Sequence, residues 1–89
     1  MNANNKKVRR FLKSQTRAQL HKILSEVPYL EDSEKSIIVE HIGKGRNIQY
    51  LSQNSDICYN YRTFSEKLSR IYSEIHNYLI KINSEYRNF

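Results

Sequence analysis

The C-terminal third of the chain carries a long helical pattern of apolar residues. They recur at steps of four, three, four, three, one and three, and they are Phe64, Leu68, Ile71, Ile75, Tyr78, Leu79 and Ile82. This spacing places them on one face of an α-helix. With Asn60 as its N-cap and an end near Ser84, the helix would be about 37 Å long at ~1.5 Å per residue. A chain of 89 residues needs a second element to cover such a stripe.

Two glycines and one proline leave few turn signals, so we expect an all-α fold of four to five helices. A disordered polar tail over residues 1–5 would precede a single helical domain over residues 6–89. Apolar spacing predicts an N-terminal helix that packs on the long C-terminal helix. A capping-box pair, Thr16 and Gln19, predicts a break in that N-terminal helix, and Pro28 predicts its end near Glu26 or Val27.

Between these elements the sequence predicts two shorter helices. Asp32 or Ser33 would cap the first, and Gly43 would end it in the left-handed conformation. The second would run from about residue 47 to residue 53 and be buried through Ile48 and Leu51.

Charge is distributed unevenly along the chain, whose formal net charge is +6. Residues 1–25 hold seven basic side chains and no acidic one, whereas residues 26–40 hold five acidic side chains against one lysine. Residues 41–70 again hold more bases than acids. Such asymmetry favours a polyanionic partner on a basic face, although a basic face can also serve solubility alone.

The single cysteine, Cys58, excludes an intramolecular disulfide and a multi-cysteine zinc site. No apolar run approaches the ~18 residues of a membrane span, and the basic N-terminus does not resemble a secretory signal. We therefore expect an intracellular chain without a membrane segment. We also expect no cofactor and no metal, because the acids at residues 31–34 suit a helix start better than a metal site.

The segment from residue 33 to residue 75 has the order of a helix-turn-helix. It reads "SEKSIIVEHI", then the link "GKG", then "NIQYLSQN", a turn, and "YRTFSEKLSRI". It resembles the C-terminal helix-turn-helix of bacterial sigma factors, which reads the −35 promoter element, and more closely the small phage transcription activators that carry this domain. The resemblance covers about residues 24–80, but "NSDICYN" lacks the glycine that the family places before its recognition helix. It implies a DNA-binding regulator in the cytoplasm of a bacterial or phage-infected cell.

A recognition helix docks through one face and reads DNA with the outer face of its first turns. The residues expected to contact double-stranded DNA are Lys44, Arg46, Gln49, Tyr59, Tyr61, Arg62, Ser65, Ser69 and Arg70. Arg62 would reach guanine, and Tyr59 or Tyr61 would touch a thymine methyl or a phosphate. Both tyrosines could instead be packing residues, and Glu66 could simply pair with Arg70, four residues on.

No catalytic constellation emerges. His21, His41 and His76 are far apart, His41 suits a half-buried core position, and no carboxylate or glycine-rich turn frames Cys58. We therefore expect a protein that is not an enzyme.

Two functions remain open. The first is sequence-specific DNA binding by a phage or mobile-element regulator. The second is a small helical protein-interaction module that modulates RNA polymerase, a sigma factor or a nuclease effector, since seven tyrosines are available for an interface. If the N-terminal helix does not cover the long apolar stripe within one chain, the stripe would be an exposed patch larger than monomers tolerate, so the sequence also predicts a homodimer through the terminal helices.

Overall fold

The computed structural model describes residues 3–54 and 60–89, which form helices and no strand. The elements are α1 (Ala3–Lys13), α2 (Arg17–Glu26), α3 (Asp32–Ile38), a π-helical segment (Val39–Gly43), α4 (Ile48–Asn54), α5 (Tyr61–Ile82) and α6 (Ser84–Arg87). The prediction of an all-α fold, with a long C-terminal helix on the N-terminal one, is confirmed. The described residues hold six α-helices rather than four to five, because the chain breaks fully at Thr16 and again at Asn83.

Local hydrogen bonds set the break between α1 and α2 where the sequence predicted it. The Gln19 N–H donates to Thr16 Oγ1 at 3.2 Å, and the Thr16 N–H donates to Gln19 Oε1 at 3.0 Å. At the other end of α2, Val27 is extended (φ −71°, ψ 119°), as expected for a residue before proline. Helix α2 therefore ends at Glu26.

Helix α1 begins at Ala3, inside the segment that the sequence predicted to be a disordered tail. The reason is Asn5, whose side chain is fully buried. Its Nδ2 donates to Ser69 Oγ at 2.7 Å, and the Ser73 hydroxyl donates to its Oδ1 at 3.2 Å. A polar residue in the tail thus anchors the first turn of α1 to α5.

Two predicted helix ends are displaced. The N-cap of α3 is Glu31, not Asp32 or Ser33, and its N–H donates to Glu34 Oε1 at 3.0 Å. Gly43 is not the left-handed stop, which is Gly45 with φ 69°. The wider π turn explains the shift: the Lys44 N–H donates to the carbonyl of Val39, five residues back, so the chain passes Gly43 before it can turn.

Asparagine side chains cap the starts of α4 and α5. Asn47 Oδ1 accepts a 2.7 Å hydrogen bond from the Tyr50 N–H at the start of α4. Asn60, the predicted N-cap of α5, accepts a 2.8 Å bond from the Thr63 N–H. The turn that the sequence predicts between α4 and α5 lies outside the described residues, as do Cys58 and Tyr59.

The long apolar stripe is covered within one chain. Helix α1 packs along α5, and their buried side chains are Val8, Phe11, Leu12, Phe64, Leu68, Ile71, Tyr72, Ile75 and Leu79. Helix α6 closes the far end, where the buried Tyr86 ring lies 5.0 Å from that of Phe11. The apolar argument for a homodimer therefore no longer holds, although Ile82 remains 56% exposed.

None of the helices within the described ranges combines the length and apolarity that a membrane crossing requires.

Candidate nucleic-acid interface

An open groove lies between α1 and the segment that leads into α4. The residues that line it are Arg9, Lys13, His41, Gly45, Arg46, Asn47, Ile48, Gln49 and Tyr61. They include three cationic side chains and two amides, and none of these lining residues is acidic. A groove of this kind offers hydrogen-bond donors and positive charge to an anionic ligand.

The link before α4, residues 44–47, carries two cations, of which Arg46 lines the groove. Glu40 forms an ion pair with each of them: its Oε1 lies 3.0 Å from Lys44 Nζ, and its Oε2 lies 4.0 Å from Arg46 Nε. The Arg46 guanidinium also stacks over the Tyr50 ring at 4.8 Å. Both cations are about half exposed, so these ion pairs are weak and can yield to a stronger anion.

The start of α5 stands beside this groove with its polar side chains in solvent. Tyr61 is 56% exposed, and the Arg62 side chain is 91% exposed. Glu66 pairs with Arg62 at 3.5 Å, four residues earlier, rather than with Arg70 as the sequence suggested. Arg70 is exposed and Ser65 is half-buried. The first turn of α5 is thus available to a ligand that occupies the groove.

Ser69 does not face outward, as the sequence predicted, but faces α1. Its hydroxyl oxygen accepts the 2.7 Å hydrogen bond from Asn5, so it lies against α1 and is half-buried. The contact spans 64 residues of sequence, which is why the periodicity of α5 alone could not reveal it. Ser69 therefore belongs to the packing of α1 on α5. Tyr59, also expected to read DNA, lies outside the described residues.

Beneath the groove, His41 forms a buried hydrogen bond with α5. The His41 pKa is lowered to about 4 by burial first and then by the positive charges of Arg9 and Lys13. Burial also raises the pKa of Tyr72. Both groups are therefore neutral near pH 7, and the Tyr72 hydroxyl donates to His41 Nδ1 at 2.5 Å. The floor of the groove carries no charge, so its positive character comes from α1 and the link.

His76 serves a similar packing role at the other end of α5. Its Nδ1 accepts a 2.6 Å hydrogen bond from the Tyr86 hydroxyl. Burial, followed by the charge of Lys7, lowers the pKa of His76. Across residues 3–54 and 60–89, no three His, Cys, Asp or Glu side chains come together in a way that could hold a metal ion.

The part of the groove that the sequence predicted least well is the part formed by α1. Arg9 and Lys13 lie more than thirty residues before Arg46, yet all three line the same groove. The available signal was the absence of any acidic residue in the first 25 positions. That signal indicates a basic face but does not say which other residues adjoin it.

No protein-family model, no curated protein and no solved structure matches this chain. The likeness to the sigma-factor helix-turn-helix therefore rests on the sequence segments quoted above.

Proposed function

We propose that this protein is a DNA-binding transcription regulator that contacts duplex DNA through the groove and the start of α5. The observation that supports this most directly is the acid-free lining of the groove, with Arg9, Lys13 and Arg46 on its walls. Such a surface suits the phosphate backbone, which supplies much of the affinity in protein–DNA complexes.

The first turn of α5 would recognise the base sequence of the DNA. Arg62 has the planar donor fork that can contact guanine O6 and N7 together, and its pair with Glu66 is exposed enough to exchange for a base. Tyr61 borders the groove and is available to a phosphate or a thymine methyl. Lys44, Arg46 and Gln49 would hold the duplex in register through its backbone, carrying no sequence information themselves.

Fluorescence anisotropy with labelled duplexes tests this proposal. Random and AT-rich duplexes would be titrated at several salt concentrations between ~50 and ~200 mM. We expect affinity to fall as salt rises, and Arg46→Gln to reduce the slope of log K against log salt by about 0.9, the value of one lost phosphate contact. Lys22→Gln, which removes an exposed charge from α2, is the matched control and should leave the slope unchanged.

Absence of binding to every duplex at the lowest salt concentration would reject DNA binding. Equal effects of Arg46→Gln and Lys22→Gln would place the contact surface elsewhere than in this groove.

A second candidate, a protein-interaction module, is favoured by Tyr29. Its ring is 93% exposed and its backbone takes a left-handed conformation (φ 68°), which is unusual for an aromatic residue. Buried neighbours, Val27 and Leu30, hold it outward. If this is the functional surface, Tyr29→Ser should abolish co-purification of RNA polymerase or another partner while leaving duplex binding intact. Retention of that partner by Tyr29→Ser would reject this candidate.

A further inference from the structure

Helix α1 presents a row of cations on the face opposite its packing face. Val8, Phe11 and Leu12 are buried against the rest of the protein. Lys6, Arg10 and Lys13 are exposed. With Ala3 and Arg9 they line a second shallow depression, on the outer surface of α1. We call Lys6, Arg10 and Lys13 the α1 row.

The α1 row is continuous with the groove. Arg9 and Lys13 line both the outer depression and the groove that holds Arg46 and Tyr61. The two basic surfaces therefore meet along one side of α1, and a single extended polyanion can contact both. A small anion would occupy only one of them.

The position of the α1 row relative to α5 is held by buried contacts. Asn5 bridges to Ser69 and Ser73 on α5, and Phe11 packs edge-on against Tyr86. Because α1 cannot rotate without breaking these contacts, Lys13 stays at the groove that Tyr61 of α5 also lines. A ligand therefore meets a preformed surface.

The arrangement of charge in α1 is unfavourable without a ligand. Lys6 and Arg10 are four residues apart on one helix face, and like charges at this spacing destabilise a helix. Among the described carboxylates, none forms an ion pair with any member of the α1 row. The negative C-terminal end of α1 favours Arg10 and Lys13 but does not account for Lys6.

We infer that the α1 row binds the sugar–phosphate backbone of the same DNA duplex that occupies the groove, as a second and sequence-independent contact. The inference rests on the proposed function and adds the outer face of α1, with Lys6 and Arg10, to the binding surface. From Lys6 to Lys13 the helix rises about 10 Å at ~1.5 Å per residue. A duplex carries one charge per about 1.7 Å of its axis, so a row of this length meets several phosphates. Its side chains contribute charge and no base discrimination.

The test is the salt dependence of duplex binding by a double variant that removes two positive charges, Lys6→Gln with Arg10→Gln. Both positions are exposed, so the pair should fold with an unchanged or higher Tm, because two like charges on one helix face are removed. The matched control is Lys22→Gln with Lys81→Gln, which changes the net charge equally at exposed positions on α2 and α5.

We expect the α1 pair to reduce the slope of log K against log salt by about 1.8, two phosphate contacts at ~0.9 each, on specific and random duplexes alike. Between ~50 and ~200 mM salt this is about a tenfold smaller loss of affinity. The control pair should change the slope little.

Three results would overturn the inference. If the wild-type protein binds duplex DNA through Arg46 and the α1 pair behaves like the control pair, the inference fails and the proposed function stands. If the α1 pair weakens one sequence far more than another, α1 reads bases and the sequence-independent contact is rejected. If the wild-type protein binds no duplex at low salt, both the inference and the proposed function fail.

Discussion

The hydroxyl of Tyr72 donates a 2.5 Å hydrogen bond to Nδ1 of His41, joining the middle of α5 to the π-helical segment inside the core. The two residues are 31 positions apart, and both are buried. The bond satisfies two polar groups that would otherwise be costly to bury, and it fixes the floor of the groove between α1 and the link.

The His41 environment predicts acid sensitivity. Its folded pKa, about 4, lies below the ordinary value of 6.5, so the stability from keeping it neutral is present above pH 6.5 and is lost as pH falls towards 4. The full loss is up to about 3 kcal/mol. The free energy of unfolding, measured with urea at pH 7 and at pH 4, should differ less between the two pH values for His41→Asn than for the wild type. The Asn amide oxygen can accept a hydrogen bond from Tyr72 without titrating. His21→Asn, at an exposed position, should retain the wild-type difference. An unchanged difference in His41→Asn would show that other groups govern the acid response.

The hydrogen bonds of Asn5 to α5 predict that replacing this one side chain lowers the stability of the protein substantially. Asn5→Ala would leave Ser69 and Ser73 without this buried partner and should lower the free energy of unfolding by about 1–3 kcal/mol. Asn4→Ala, at the exposed neighbouring position, should stay within about 0.5 kcal/mol of the wild type. Chemical denaturation measures both, and equal stabilities would mean that the first turn of α1 is not anchored.

The two glycines after α3 should respond differently to alanine. Gly45 has φ 69° and no atom within 4 Å of an added Cβ, so Gly45→Ala should cost about 1–2 kcal/mol from backbone strain alone. Gly43 lies in the π-helical segment, and its added Cβ would meet Leu20 and Val39 at an ordinary 3.8 Å. Gly43→Ala should therefore be neutral or stabilising by up to about 1 kcal/mol. Thermal unfolding of both variants checks the order, and the reverse order would move the left-handed residue back to Gly43.

The intramolecular cover of α5 predicts a monomer in the absence of DNA. Sedimentation equilibrium at micromolar concentration should give a single species of 10.7 kDa. Leu79 is 1% exposed within one chain, so Leu79→Ala should destabilise the protein by about 2–5 kcal/mol at every protein concentration. An unfolding midpoint that rises with protein concentration would instead indicate a dimer through this stripe.

The exposed start of α5 predicts a difference between reading and positioning residues. Arg62→Ala should cost about 1–3 kcal/mol on a specific site and relax discrimination there. Lys44→Ala should weaken all duplexes alike, since a phosphate contact carries no sequence information. Competition titrations against random duplex separate the two effects. Parallel losses for both variants on both duplexes would remove Arg62 from the reading role.

Local signals in the sequence determined where α2 begins and ends and where α5 begins. The Thr16–Gln19 capping box, the restriction before Pro28 and the Asn60 cap each act over three residues or fewer, so the sequence alone predicts them. The periodic apolar residues of α5 likewise determined which of its faces is buried, because a helix repeats its faces every 3.6 residues.

Tertiary structure decided what those helices touch. The sequence could not say whether α1 covers α5 in the same chain or in a partner, since either arrangement would bury the same apolar stripe. It could not place Ser69 against Asn5, His41 against Tyr72, or Lys13 beside Arg46. These neighbours are separated by 30 to 70 residues and meet only when α1, α5 and the segment between α3 and α4 pack together. The left-handed residue is Gly45 and not the predicted Gly43, because the turn that follows α3 is π-helical and therefore wider than an α-helical turn. Contacts between distant residues depend on how helices pack, and packing is a property of the whole chain.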